Sequence, residues 1–169
     1  MDKKLQDKLY KKYPKIFGQH KLPMTQTAMC WGLECGNGWY KLIDMLCSQL
    51  QWDIEHNKYP QMEATQVKEK FGTLRFYNSG VYEENRKITF REKIYYFLRD
   101  LMIKVNKELY NKERQYGVQE GMISFAEFLS GDICERCGSI DGVTQTKGWV
   151  VTLCKKCKGE YKLEHPRNR

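Results

Sequence analysis

Ile133-Cys134-Glu135-Arg136-Cys137-Gly138 and, separated from Cys137 by 16 residues, Cys154-Lys155-Lys156-Cys157 decide how this chain is read. Two Cys-x2-Cys knuckles at this separation are the sequence form of a zinc ribbon. Zn²⁺ accepts four thiolates tetrahedrally, and a two-residue gap lets both sulfurs of one turn face one ion. Gly138 follows the first knuckle, where the chain must turn sharply and positive φ costs little. Between the knuckles, Val143-Thr144-Gln145-Thr146 and Trp149-Val150-Val151-Thr152-Leu153 have strand character around Lys147-Gly148, so a β-hairpin is expected to join them. Four thiolates leave no coordination position for water. One Zn²⁺ held by Cys134, Cys137, Cys154 and Cys157 is therefore expected as a structural cofactor, not a catalytic one.

The rest of the chain supplies a body for this ribbon. At 169 residues with 41% hydrophobic and 13% aromatic content, it suits one compact domain plus a small module. Trp39, Leu42, Ile43, Leu46, Cys47, Leu50 and Ile54 recur at helical steps and predict an amphipathic helix ending near His56-Asn57. Leu5, Leu9 and Tyr10 predict a short N-terminal helix stopped by Pro14, and Lys15 to Met29 reads as an extended surface segment. Residues 63–77 alternate as β-structure, with a change of apolar phase at Phe71-Gly72 that implies a bulge or tight bend; Val81-Tyr82 reads as a short returning strand. Thr89-Phe90-Arg91-Glu92 is a capping box. Behind it, Phe90, Ile94, Phe97, Leu98, Leu101, Met102, Val105 and Leu109 predict a buried stripe on a helix ending at Gly117, and a further helix is expected from Val118 to Leu129. The expected fold is α+β: three main helices packed on a small antiparallel sheet, residues 1–131, with the ribbon, residues 132–169, packed against it.

Charge narrows the partners. The formal net charge is +8; four thiolates around one Zn²⁺ add −2 and take it to +6, which favours anionic nucleotides or nucleic acid. The 29 Lys and Arg are interleaved with 21 acids and form no basic tail. Seven cysteines, four of them in knuckles, point to a reducing cytoplasmic compartment, and neither a signal sequence nor a membrane-spanning run is expected.

Three segments taken together, Thr27-Ala28-Met29-Cys30-Trp31-Gly32-Leu33-Glu34-Cys35-Gly36-Asn37-Gly38-Trp39, Ala64-Thr65-Gln66-Val67-Lys68-Glu69-Lys70-Phe71-Gly72-Thr73-Leu74-Arg75-Phe76-Tyr77 and the knuckle pair, carry a resemblance. The chain resembles a family of small uncharacterised tailed-phage and prophage proteins with a C-terminal four-cysteine ribbon, from about Met24 to Lys158. The resemblance implies a phage protein acting in the host bacterial cytoplasm. It implies no mechanism.

Two places can take an anion. The amides of Gly36-Asn37-Gly38 at the start of the Trp39 helix lie at the positive end of its macrodipole; the alternative is a tight turn capped by Asn37. Lys68, Lys70 and Arg75 with Tyr77 form a cationic, aromatic strand surface; the alternative is the solvated face of a half-buried sheet with Phe71, Leu74 and Phe76 as core. Trp31, Trp39 and Trp149 could stack bases; the alternative is core, with Trp39 both a stripe member and a wall of the ligand site at the helix entry. Cys30, Cys35 and Cys47 read as buried free thiols. His20, His56 and His165 are isolated, and Glu55-His56-Asn57 lacks the partners a nuclease metal site needs, so no enzyme is expected. The leading expectation is a non-enzymatic binder of a phosphate-bearing ligand, in its most specific form a sequestered nucleotide immune signal. The alternatives are DNA or RNA binding through ribbon residues Arg136, Lys147, Lys155, Lys156 and Lys158, or docking of a host protein; the oligomeric state stays open.

Overall fold

The computed structural model describes residues 1–79, 91, 94, 95, 97, 98, 101 and 107–164. Among the described residues the helices with defined bounds are α1 (Lys3–Lys12), α2 (Tyr40–His56), α3 (Lys107–Ser130) and α4 (Lys155–Glu164). The strands are β1 (Leu33–Glu34), β2 (Ala64–Lys70), β3 (Thr73–Asn78), β4 (Thr144–Gln145) and β5 (Thr152–Leu153). The fold is α+β, with one three-stranded sheet in the body and a two-stranded hairpin in the ribbon. No helix among the described residues is long and apolar enough to cross a membrane.

The stripe read for α2 is its buried face: Leu42, Ile43, Leu46, Cys47 and Leu50 lie in the core beneath Trp39, which is fully buried in the 3₁₀ turn ahead of the helix. The sheet order is β1-β2-β3, and β1 runs parallel to β2. The sheet is therefore mixed, not antiparallel as expected. The physical reason is α2 itself: parallel neighbours need a crossover, and a helix between β1 and β2 provides one.

β2 and β3 form a hairpin whose two central residues, Phe71 and Gly72, have φ of 53° and 76°. Positive φ at both positions is the type I′ geometry, whose twist matches the flanking strands. The phase change at Phe71-Gly72 marks this tight turn. With Val67 opposite Phe76 and Glu69 opposite Leu74, the buried Val67, Leu74 and Phe76 share the inner face. Lys68 lies opposite Arg75 and Lys70 opposite Thr73 on the outer face. The turn removes Phe71 from the core assigned to it: its ring is 71% exposed.

Three further expectations change. The 15–29 segment is not an extended surface segment throughout, because Ile16, Phe17 and Met29 are fully buried and 3₁₀ turns occupy Gly18–Lys21 and Ala28–Trp31. No helix ends at Gly117: α3 runs through it to Ser130. A glycine costs about 1 kcal/mol inside a helix, and packing of Gln119, Ile123, Ala126 and Ser130 outweighs that. Ile94, Phe97, Leu98 and Leu101 are exposed, not buried, since the core closes on Ile123 and Ala126 instead. The Val81-Tyr82 strand, the Thr89–Glu92 capping box and the side chains of Phe90, Met102, Val105 and Leu109 lie outside the described residues.

α3 also finishes the sheet. β3 is an edge strand, and its outward amides need partners. The Leu74 amide donates to Ser130 Oγ at 2.8 Å, the Phe76 amide to Glu127 Oε1 at 2.8 Å, and the Asn78 side chain to Glu120 Oε1 at 2.8 Å. Three residues on one helix face thus cap one sheet edge.

Candidate metal centre and the surface it holds

The four ribbon cysteines converge. Cys134, Cys137, Cys154 and Cys157 place their Sγ atoms within 4.8 Å of one another, and they are the one such cluster among the described residues. Cys137 and Cys154 are 3.7 Å apart at sulfur. A tetrahedron with metal–sulfur bonds of about 2.3 Å has edges of about 3.8 Å, so the spacing fits a single four-coordinate ion. Backbone amides turn inward as well: the Cys157 amide approaches Cys154 Sγ at 3.5 Å. Burial disfavours the Cys134 thiolate, but the amides of Cys154, Cys137 and Arg136 oppose this and hold its thiol at about 7. Such donors neutralise and orient thiolate ligands. Gly138, with φ of 77°, supplies the expected turn, and its amide donates to the Cys134 carbonyl at 2.8 Å.

The ribbon is shorter in strand and longer in helix than expected. β4 and β5 pair antiparallel over two residues each, and Cys157 sits in the first turn of α4, an element the knuckle spacing did not reveal. Arg136 makes a two-pronged ion pair with Glu164 near the end of α4, with its guanidinium 5.7 Å from the Tyr161 ring. Lys158 donates to Thr144 Oγ1 and the Gln145 carbonyl. Two of the five cations expected to meet nucleic acid through the ribbon therefore brace it, while Lys147, Lys155 and Lys156 are exposed.

The glycine motifs of the body meet the metal site. Glu135, between the first two cysteines, donates its amide to the Thr152 carbonyl at 2.9 Å. Its own carbonyl accepts from the Gly38 amide at 2.7 Å, and its carboxylate accepts from the Gly36 amide at 2.9 Å. Trp39 Nε1 donates to the Ile133 carbonyl at 2.9 Å. The phosphate cradle expected at Gly36, Asn37 and Gly38 is thus already filled from within the chain. Both glycine amides are spent on Glu135, and Asn37 bonds Asp2 rather than capping the helix. Burial raises the Glu135 carboxyl above its ordinary range, while the Gly36 amide pulls it down.

The hairpin turn is the second contact. Thr152 Oγ1 donates to the Gly72 carbonyl at 2.5 Å, and Gln145 Nε2 to the Phe71 carbonyl at 3.4 Å. A methyl on Gly72 would come within 2.9 Å of Val150 Cγ1. The tip of the sheet hairpin and the tip of the ribbon are therefore in direct contact. Each carries an exposed aromatic, Phe71 and Trp149, both 71% exposed. Trp149 and Trp31 thus lie at the surface, and Trp39 alone of the three is core. Lys70 Nζ lies 5.5 Å from the Phe71 ring centre, and Lys147 is exposed two residues before Trp149.

Of the strand residues, Lys68, Lys70, Arg75 and Tyr77 do share the outer face, with Lys68 Nζ 5.5 Å from the Tyr77 ring. Glu34 and Gln66 flank them. Arg75 leans toward α3, where its Nη1 lies 3.9 Å from Glu127 Oε2. Cys47 is fully buried, and burial raises its thiol; burial pushes the Cys35 thiol up to about 12. Cys30 is half-buried with its sulfur on the Thr27 carbonyl. His20 stacks on Tyr10 and His56 on Trp52. Compared with known protein families, with curated proteins and with solved structures, the chain finds no match.

Proposed function

We propose that this chain is a Zn²⁺-stapled, non-enzymatic binding protein for a phosphate-bearing partner, and that the partner is single-stranded nucleic acid. The observation that carries the reading is the pair of exposed rings, Phe71 and Trp149, on two abutting tips beside Lys70 and Lys147. Stacking platforms next to cations are how single strands are held without duplex geometry, at roughly 1–3 kcal/mol per stacked base. The outer face with Lys68 and Tyr77 continues the track for the backbone. A mononucleotide offers the same chemistry with one ring; two rings at one junction suit consecutive bases better. Zn²⁺ is the metal the donor set favours, since four thiolates in a tetrahedral cluster select it among abundant divalent ions.

The test is titration of labelled single-stranded DNA and RNA with Trp149 fluorescence followed in parallel. Stacking should quench Trp149, and log affinity should fall with log salt at a slope of about −0.7 per phosphate contacted. Phe71→Ala and Trp149→Ala should each weaken binding by about 5- to 150-fold, the range that stacking energies imply. Unchanged affinity in the double variant would sink the reading. A response to mononucleotides alone, insensitive to salt, would move it to a nucleotide binder. Metal analysis of purified protein should find one zinc per chain.

A further inference from the structure

Beside the sheet's outer face lies a cleft of about 630 Å³ between β3 and the end of α3, lined by Thr73, Arg75, Ser124, Glu127, Phe128 and Asp132. That volume is in the usual range for small-ligand sites. Its groups are unequally occupied. Arg75 spends Nη1 on Thr73 Oγ1 and the Leu74 carbonyl, both at 2.7 Å, leaving its other guanidinium nitrogens without a partner among the described residues. Glu127 gives Oε1 to the Phe76 amide, and its Oε2, 3.9 Å from Arg75, is beyond hydrogen-bond range of it. Asp132 is exposed, and among the described residues no partner engages its carboxylate. Phe128 is 70% exposed at the rim.

A donor fork, two open carboxylate acceptors and a free aromatic face do not suit a bare phosphate, because the carboxylates repel it. They suit a flat heterocycle with acceptors on one edge and adjacent donors on another. Guanine is the common base of that form: O6 and N7 accept, and they are the atoms arginine reads bidentately. Its N1–H and N2–H₂ donate side by side to a carboxylate. Adenine and cytosine turn a ring-nitrogen acceptor toward the carboxylate, and uracil flanks its single N–H with carbonyl oxygens. Unstacked bases in single strands are read this way, by stacking and by their Watson–Crick edge.

We propose that this cleft is a guanine-reading subsite, with Arg75 on O6 and N7, Asp132 and the free oxygen of Glu127 on the donor edge, and Phe128 against the ring. It rests on the nucleic-acid reading above and adds base preference to it. The position is consistent with a continuous track. Arg75 pairs with Lys68 and Thr73 with Lys70, so the cleft begins with Thr73 at the foot of the Phe71-Gly72 turn, and Arg75 lies about 7 Å further along the strand.

The experiment compares oligo-uridine carrying one central guanosine, inosine or adenosine. Guanosine should bind roughly ten-fold or more tighter than adenosine, the discrimination of one good bidentate contact. Inosine, which lacks the N2 amine, should fall between them. Asp132→Asn should erase the preference for guanosine over adenosine. Phe128→Ala, on an exposed side chain, should weaken the guanosine oligomer more than plain oligo-uridine. Equal affinity for all three oligomers overturns the subsite and leaves the nucleic-acid reading standing. Should no oligomer bind, guanosine and adenosine monophosphates titrated by NMR decide it. Guanosine-selective shifts lost in Asp132→Asn uphold the subsite; their absence overturns it.

Discussion

Around the metal knuckle, a methyl at Gly36 would sit 2.2 Å from the Glu135 carbonyl oxygen and one at Gly38 2.1 Å from that of Cys134. In the middle of α3, methyls at Gly117 and Gly121 would meet nothing within 4 Å. The two regions use one residue type for different reasons. At the ribbon, backbone lies directly on backbone, and the missing side chain is what lets two modules share hydrogen bonds. In α3 the missing side chain makes room for no described neighbour and only loosens a helix. Crowding, not the presence of glycine, identifies the seam.

The largest effect should come from the metal. Structural zinc contributes folding free energy on the order of 10 kcal/mol. Excess chelator should unfold the ribbon and, because Glu135, Thr152 and Gln145 depart with it, also lower the melting temperature of the body. A body transition that stays in place in chelator would break the claim that the seam couples them. Next comes Gly38→Ala. The clashing atoms are the Cys134 carbonyl and the Gly138 amide, neither of which can rotate aside. Destabilisation by about 3 kcal/mol in urea is expected, at the upper end of overpacking costs; a loss under about 1 kcal/mol would show that the seam yields.

A smaller, pH-dependent effect belongs to α3. Burial raises the Glu127 carboxyl, while the Phe76 amide and Arg75 pull the other way. With the folded value above the unfolded one, the folded state holds the proton more tightly. That contribution is fully present below the ordinary carboxylate range, near pH 4, and is lost as pH rises through the folded value. Glu127→Gln keeps an acceptor for the Phe76 amide, so its stability relative to the parent should improve from about pH 4 toward neutrality. A difference that is flat with pH would refute this. Smallest of all, Gly121→Ala should raise stability by about 1 kcal/mol through helix propensity, the reverse sign of Gly38→Ala in the same urea assay.

The same contrast explains what could be read from residues alone. The α2 stripe and the cysteine spacing are local, periodic signals, and both appear in the fold where expected. The break at Phe71-Gly72 was legible as a bend, but whether it returned the chain depended on φ at two residues. The capping of β3 by Ser130 and Glu127 joins positions more than 50 residues apart, so no periodicity announces it. The Gly36–Gly38 amides looked free for an anion for the same reason. Their anion is Glu135, about 100 positions downstream, and nothing local to either motif links them. Trp149 read as core because tryptophans usually are; it lies at the surface because Thr146 closes the 147–150 turn beneath it, donating to the Trp149 carbonyl and accepting from the Val151 amide.

Phe71 occupies a left-handed backbone conformation that asparagine or glycine would adopt more cheaply, and its ring gains little burial in return. A stability-guided redesign of this protein would replace that phenylalanine early and be rewarded with a higher melting point. It would also delete one of the two rings on which the proposed recognition rests, and on that proposal thermal robustness and ligand capture pull this single position in opposite directions.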